Sequence, residues 1–234
     1  MIDAETRLQL LGDLWEKWRN CDRCGLCKPV GRPRRHVVFG GGNPCARLMI
    51  VGEAPGEEED IHGEPFWPTA ASGDLLDKFL ASFDITREDV FIVNVVGCRP
   101  TRDDDPRKNR PPAADEIAAC KERLDRIVEI VDPYVLLLLG DVAKSAMTRE
   151  RKSVTALARD PDIPAVKAYT RGQSLEVERQ AVVTFHPAYL ARNFDMSTGS
   201  DTHLVYLAFE KAVALVRAYE HLYFNAPMPA REDT

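Results

Sequence analysis

Apolar residues recur along this chain in two rhythms. Between residues 3 and 19, Leu8, Leu11, Leu14, Trp15 and Trp18 fall at helical intervals, which predicts an amphipathic helix ending just before the first cysteines. Further on, residues 47–51, 90–96 and 134–139 form short unbroken runs rich in Val, Ile and Leu, the pattern of strands buried on both faces. Helical patterns fill the intervals at 74–83 and 113–131. A fourth apolar run, 181–185, leads into His186-Pro187, and residues 201–222 have the pattern of a long closing helix. Strand and helix therefore alternate, which predicts an α/β fold: a three-layer α/β/α sandwich around a central, mainly parallel four-stranded sheet. Residues 1–224 read as one domain. Within it, residues 149–180 are charged and rich in Arg and Pro, as expected of a surface insertion, and residues 225–234 read as a disordered tail.

Open sheets of this kind hold their ligands beyond the carboxyl ends of the strands. Those ends carry Gly52-Glu53-Ala54-Pro55, Asn94, Gly140-Asp141 and His186. The loop after the first run, residues 51–73, has glycine spacing reminiscent of a phosphate cradle. It carries six acidic side chains and no lysine or arginine, and it lacks both the Lys-Ser/Thr ending of a P-loop and GxGxxG, so no nucleotide cofactor is expected.

A net charge of −6 over 234 residues gives no global attraction to nucleic acid. Any DNA contact must rest on local patches such as residues 32–35, 107–110 and 149–152. No run approaches the length of a membrane span, and the first residues lack the basic head and apolar core of a signal peptide, so a cytoplasmic, reducing setting and a monomeric state are expected. Six cysteines in a reducing compartment are not expected to pair as disulfides. Cys21, Cys24 and Cys27 form C-x-x-C-x-x-C, while Cys98 and Cys120 come much later. Close and distant cysteines together can build a tetrahedral thiolate site for zinc or an iron–sulfur cluster, and spacing does not choose between them. Cys45 has no partner in sequence and reads as a small packing residue.

Several segments taken together resemble the family-4 uracil-DNA glycosylases, the iron–sulfur branch of that superfamily: "CDRC" with Leu26 two residues on, "VGEAPGEEED", "GEPF", "NVVGCRP", "NRPP", "EIAAC", "LLLLG" and "HPAYLAR", in the family's order. The resemblance implies an α/β/α sandwich, a structural [4Fe–4S] cluster held by Cys21, Cys24, Cys98 and Cys120, and hydrolysis of an N-glycosidic bond in DNA. Cys27 lies outside the family's ligand pattern and is a spare candidate.

The side chains in these motifs suit that reaction. A glycosylase takes the base out of the stack, holds its face and edge, and stabilises the charge that moves onto it. Phe66 offers a flat face, and the Asn94 amide offers one acceptor and one donor to a pyrimidine edge. His186 can hydrogen-bond the carbonyl O2, with the backbone amides of Glu53 and Ala54 as further donors. Where a better-known branch carries a water-positioning aspartate, this chain has Ala54, which leaves Glu53 as the nearest carboxylate. Glu57, Glu58 and Glu59 read mostly as helix-turn or surface charges. The chain departs from the family at Trp67-Pro68-Thr69-Ala70-Ala71-Ser72, beside Phe66, and Gly56 is expected to leave room at the pyrimidine 5-position. The expected activity is monofunctional removal of a flipped pyrimidine, uracil first, leaving an abasic site. Two alternatives stand beside it: the same chemistry on a 5-substituted or hypermodified phage base as a defence enzyme, and a non-catalytic iron–sulfur DNA-binding or redox-sensing module.

Overall fold

In the computed structural model, residues 2–27, 37–102, 105, 107–172, 176–191 and 194–224 are described. The chain opens with α1 (Ala4–Trp18), where Asp3 accepts from the Thr6 amide at 2.8 Å and so caps the first turn. The elements that follow are β1 (Gly41–Gly42), β2 (Leu48–Gly52), α2 (Glu57–His62), α3 (Ala71–Ala81), β3 (Phe91–Asn94), α4 (Ala114–Val131), β4 (Val135–Leu139), α5 (Gly140–Met147), α6 (Val154–Ala158), β5 (Val166–Arg171), β6 (Glu176–Thr184), α7 (Pro187–Leu190) and α8 (Asp201–Phe224). Among the described residues no helix is long and apolar enough to cross a membrane.

The sheet runs β1-β3-β2-β4-β6-β5. Its four central strands are the expected parallel set, and every residue of β2, β3 and β4 is buried. Two further strands, antiparallel to their neighbours, bring the sheet to six. Part of the stretch 149–180 is accordingly built into the sheet. Val154, Leu157 and Ala158 of α6 are buried, and β5 alternates buried Val166, Ala168 and Thr170 with outward residues. The tail 225–234, the basic stretch 32–35 and the side chain of Cys27 lie outside the described residues. Cys45, expected to pack, is exposed.

Alternation along the strands divides the interior into two cores. On one face Met49, Val51, Val93, Leu136, Leu138 and Val183 pack against α1, α4, α5 and α6. On the other Leu48, Ile50, Ile92, Leu137 and Val182 pack against α3, α7 and α8. A fully buried side chain of this size contributes roughly 1.5–3 kcal/mol, so each layer is held mainly by apolar area. Helix α1 is also pinned by a polar contact, because buried Arg7 donates to the carbonyls of Ile130 and Val131 at the end of α4. That attachment fixes the segment that carries Cys21 and Cys24.

Candidate active site

The parallel register aligns the strand ends. Gly52 pairs with Asn94 across β2 and β3, and Leu139 pairs with Thr184 across β4 and β6. The ladder continues past the strands, with the Val95 amide donating to Gly52 O at 3.0 Å and Val96 to Glu53 O at 3.1 Å. Gly52 forms the floor of the site. A Cβ there would collide with Asn94 Oδ1 and stand 2.7 Å from Phe66 Cε2, so the amide and the ring both lie directly over its Cα. Asn94 is 1% exposed, and its Oδ1 has no hydrogen-bond partner among the described residues. A buried acceptor left open is costly in a finished core and characteristic of a group that awaits a ligand.

Phe66 is buried and adopts φ +51°, a left-handed conformation that costs a bulky residue about 1–3 kcal/mol. Three groups hold it there. Arg87 donates to the carbonyls of Pro65, at 3.2 Å, and Phe66, and its Nε pairs with Asp77 at 2.7 Å. Gly73 lets the start of α3 approach so closely that a Cβ would strike the carbonyls of Phe66 and Trp67. Glu59 accepts from the Gly56 amide at 2.8 Å, and the Phe66 backbone also hydrogen-bonds to its carboxylate. Burial raises the Glu59 carboxyl, and these amides hold it back in part.

His186 faces Phe66, with ring centroids 5.4 Å apart and planes 23° from parallel. Its Nδ1 accepts from the Ala188 amide at 3.1 Å. In a neutral imidazole this places the proton on Nε2. Dense surroundings lower the pKa to about 4, although part of the ring stays accessible, so the neutral form dominates at physiological pH. Gly140, at φ +89°, permits the close approach, since a Cβ would lie 3.3 Å from His186 Cβ.

Glu53 follows Gly52 at the same strand end and is half-buried, and burial raises its carboxyl above the usual range. Among the described residues no hydrogen bond or ion pair holds that carboxylate. Ala54 packs against the core beneath it. Beyond them, buried Arg99 joins Asn109 Oδ1 at 2.6 Å, Arg107 O at 3.0 Å and Glu57 at 3.2 Å, which ties residues 107–109 to α2.

The structure thus brings Asn94, Phe66 and His186 together over Gly52, with Glu53 and Ala54 on the adjoining turn. Two expectations change. Glu59 is buried and internal to the loop, while Glu57 and Glu58 remain exposed. The space above Gly56 is occupied by the Glu59 carboxylate, 2.5 Å from where a Cβ would stand, so that glycine opens no room for a base substituent. Trp67 is stacked on His62 at 3.9 Å and 10°. The roles of Arg87 and Gly73 at Phe66 had no sequence signal, because the groups of residues 65–67 that they meet are backbone carbonyls.

The cysteines belong to the core on the other face of the sheet from Phe66. Cys98 and Cys120 are buried in the core of the α1 and α4 face, and Cys21 and Cys24 pack against it. Burial raises the Cys24 thiol, and nearby Cys120 and Cys21 push it further the same way. A single zinc ion needs four sulfurs within ~3.8 Å of one another, and among the described residues no three ligand-type side chains are gathered to hold one ion. The residues present fit a group that takes thiolate ligands and accepts hydrogen bonds. Two buried N–H groups of this core, Trp18 Nε1 and Arg123 Nε, have no acceptor among the described residues.

The family model described as Uracil DNA glycosylase superfamily matches residues 39–210. The chain is 38% identical over 189 residues to the type-4 uracil-DNA glycosylase of Thermotoga maritima, covering 80% of this chain and 86% of that one. It is 36% identical to the type-4 uracil-DNA glycosylase of Pyrobaculum aerophilum, over 78% and 85% of the two chains. To that of Archaeoglobus fulgidus it is 34% identical, over 77% and 83%.

Proposed function

Since the chain belongs to the uracil DNA glycosylase superfamily and is a hydrolytic DNA N-glycosylase, we propose that its base is uracil, removed after flipping to leave an abasic site in DNA. The observation that carries this reading is the convergence of the open Asn94 Oδ1, the Phe66 ring and the His186 imidazole over Gly52. Phe66 supports the pyrimidine face. Its ring and that of His186 are too close for a base to lie between them, so the imidazole meets the base at its rim. There the neutral Nε2–H donates to O2, where charge accumulates as the glycosidic bond breaks. Asn94 reads the opposite edge, its Oδ1 accepting from N3–H and its amide donating to O4. Ala54 leaves no side-chain base at the sugar, so bond breaking runs ahead of water attack, with Glu53 as the carboxylate placed to orient the water.

Cys21, Cys24, Cys98 and Cys120 are proposed to hold a [4Fe–4S] cluster. When bound, it joins the N-terminal segment to β3 and α4 and supplies no chemistry at the base. The proposed setting is uracil repair by a soluble enzyme, without a nucleotide cofactor.

Oligonucleotides containing uracil, thymine or a 5-substituted cytosine, assayed for free base and abasic sites, test the assignment. Uracil release is expected, with a loss of 10²-fold or more in kcat for His186→Ala and Asn94→Ala, about the effect of deleting one donor to a developing oxyanion. Release of the 5-substituted base in preference to uracil overturns the substrate assignment, and full activity in both variants overturns the site.

A further inference from the structure

Arg123 lies on α4 and is fully buried, yet its partners are all carbonyls. Nη1 donates to Phe39 O at 2.5 Å, and Nη2 donates to Asn94 O at 2.5 Å and Val95 O at 3.3 Å. Among the described residues no carboxylate pairs with it, and its Nε–H is buried without an acceptor. Carbonyl dipoles offset only part of the cost of burying a guanidinium, and a charged donor left open adds to that cost. The positive charge therefore calls for a negative one that no described side chain around it supplies.

Its surroundings indicate where that charge sits. Arg123 follows Cys120 by three residues, on the same face of α4. The guanidinium is packed on Gly97, which precedes Cys98, so tightly that a Cβ at Gly97 would stand 3.2 Å from Nε. The second orphan donor of this core, Trp18 Nε1, belongs to the residue whose carbonyl accepts from the Cys21 amide at 2.9 Å. Trp18 and Arg123 thus each stand three residues from a cysteine assigned as a ligand. Four thiolates outweigh the charge of an iron–sulfur core, so the occupied site is a net anion rich in sulfur acceptors.

We propose that Arg123 is the counter-charge of the cysteine-held cluster, donating through Nε–H to one of its sulfurs, while its Nη2 holds the backbone of Asn94. One side chain then connects the cluster to the residue that reads the base. The inference rests on the cluster assignment above and extends it to a positioning residue outside the ligand set. It gives the cluster a route to the pocket that requires no contact with DNA: without the anion, the guanidinium under Asn94 loses its balance and the strand end loosens.

The test uses anaerobically purified full-length protein as wild type, Arg123→Lys, Arg123→Met and Trp18→Phe. Iron and sulfide content is measured first, then the reduction potential, the rate of bleaching in air, and Fe–S stretching frequencies in H₂O and D₂O. A positive charge and an N–H donor both favour the more negative, reduced cluster. Arg123→Met is therefore expected to lower the potential and bleach several-fold faster. Arg123→Lys should fall between it and wild type, because the charge stays and the planar donor is lost. Part of the deuterium shift should vanish in both, and Trp18→Phe should remove a smaller part. Wild-type potential, bleaching and deuterium shift in Arg123→Lys overturn the proposal even if Arg123→Met does not fold. Wild-type protein without iron and sulfide overturns the cluster assignment itself, and this inference with it.

Discussion

The core beneath α3 and α8 and the core beneath α1 and α4 share the same sheet but are completed differently. The first is closed mainly by hydrocarbon: Phe79 stacks on Phe209 at 5.2 Å, and Leu76, Leu80, Val205 and Ala208 are fully or nearly fully buried around them. The second holds buried Cys98 and Cys120 with Cys21 and Cys24 packed against them, the buried side chains of Arg7 and Arg123, and two N–H groups that find no acceptor among the described residues. One layer is completed mostly by its own apolar side chains, whereas the other carries the thiols and open donors on which the proposed cluster rests. The candidate site lies where they meet. Phe66 belongs to the first core, and the Asn94 backbone is held from the second by Arg123. Ring placement and edge placement therefore have separate structural origins.

The largest expected effect separates the two layers outright. Replacing Cys98 and Cys120 together by serine should remove amide-exchange protection from α1 and α4 while leaving much of it in α3 and α8. Uniform loss over all four helices would break the contrast. Phe209→Ala should cost about 3–5 kcal/mol by cavity formation, measured by denaturant unfolding, and by the same amount whether or not iron is present. A cost that depends on iron would mean the layers are coupled through the sheet.

Acid tests the ring-bearing side. The folded pKa of His186, about 4, lies below the ordinary value near 6.5, so between those values the unfolded chain binds a proton that the folded one does not. Stability from this group is present above pH 6.5 and is lost as pH falls toward 4. The loss is up to about 3 kcal/mol, less in proportion to solvent access at the ring. His186→Gln should flatten that part of the stability profile. In the wild type, kcat/KM should show no inflection near 6.5. The smallest effect is expected for Arg87→Lys, which keeps the ion pair with Asp77 but not the fork on Pro65 and Phe66. A loss of roughly 1–2 kcal/mol is expected, and a kcat that falls more than KM rises would show that the posture of Phe66 matters to the reaction.

How much of this was legible in the sequence depended on what each residue touches. The runs at 47–51, 90–96 and 134–139 announce strands because burial on both faces demands unbroken apolar side chains. Gly41–Gly42 has no side chains with which to signal a strand, and β5 hides among charges because only alternate residues face inward. Phe66, Asn94 and His186 could be found because their side chains belong to recognisable motifs. Arg87 and Arg123 could not, since they bind carbonyls 21 and 29 residues away, and a carbonyl is the same in every residue. Glu59 looked like one of a run of surface charges until the fold turned its carboxylate onto the Gly56 amide.

The Ala188 amide on His186 Nδ1 has a consequence for which bases can be released. With Nδ1 occupied and the proton on Nε2, the imidazole is wired in one direction: it can give a hydrogen bond to the departing base, but at low pKa it is poorly suited to hand over a proton outright. In the proposed reaction, a base must therefore be able to leave unprotonated. The site would then sort pyrimidines by acidity as well as by shape, accepting those that are stable as departing anions and sparing those that must be protonated before they can go.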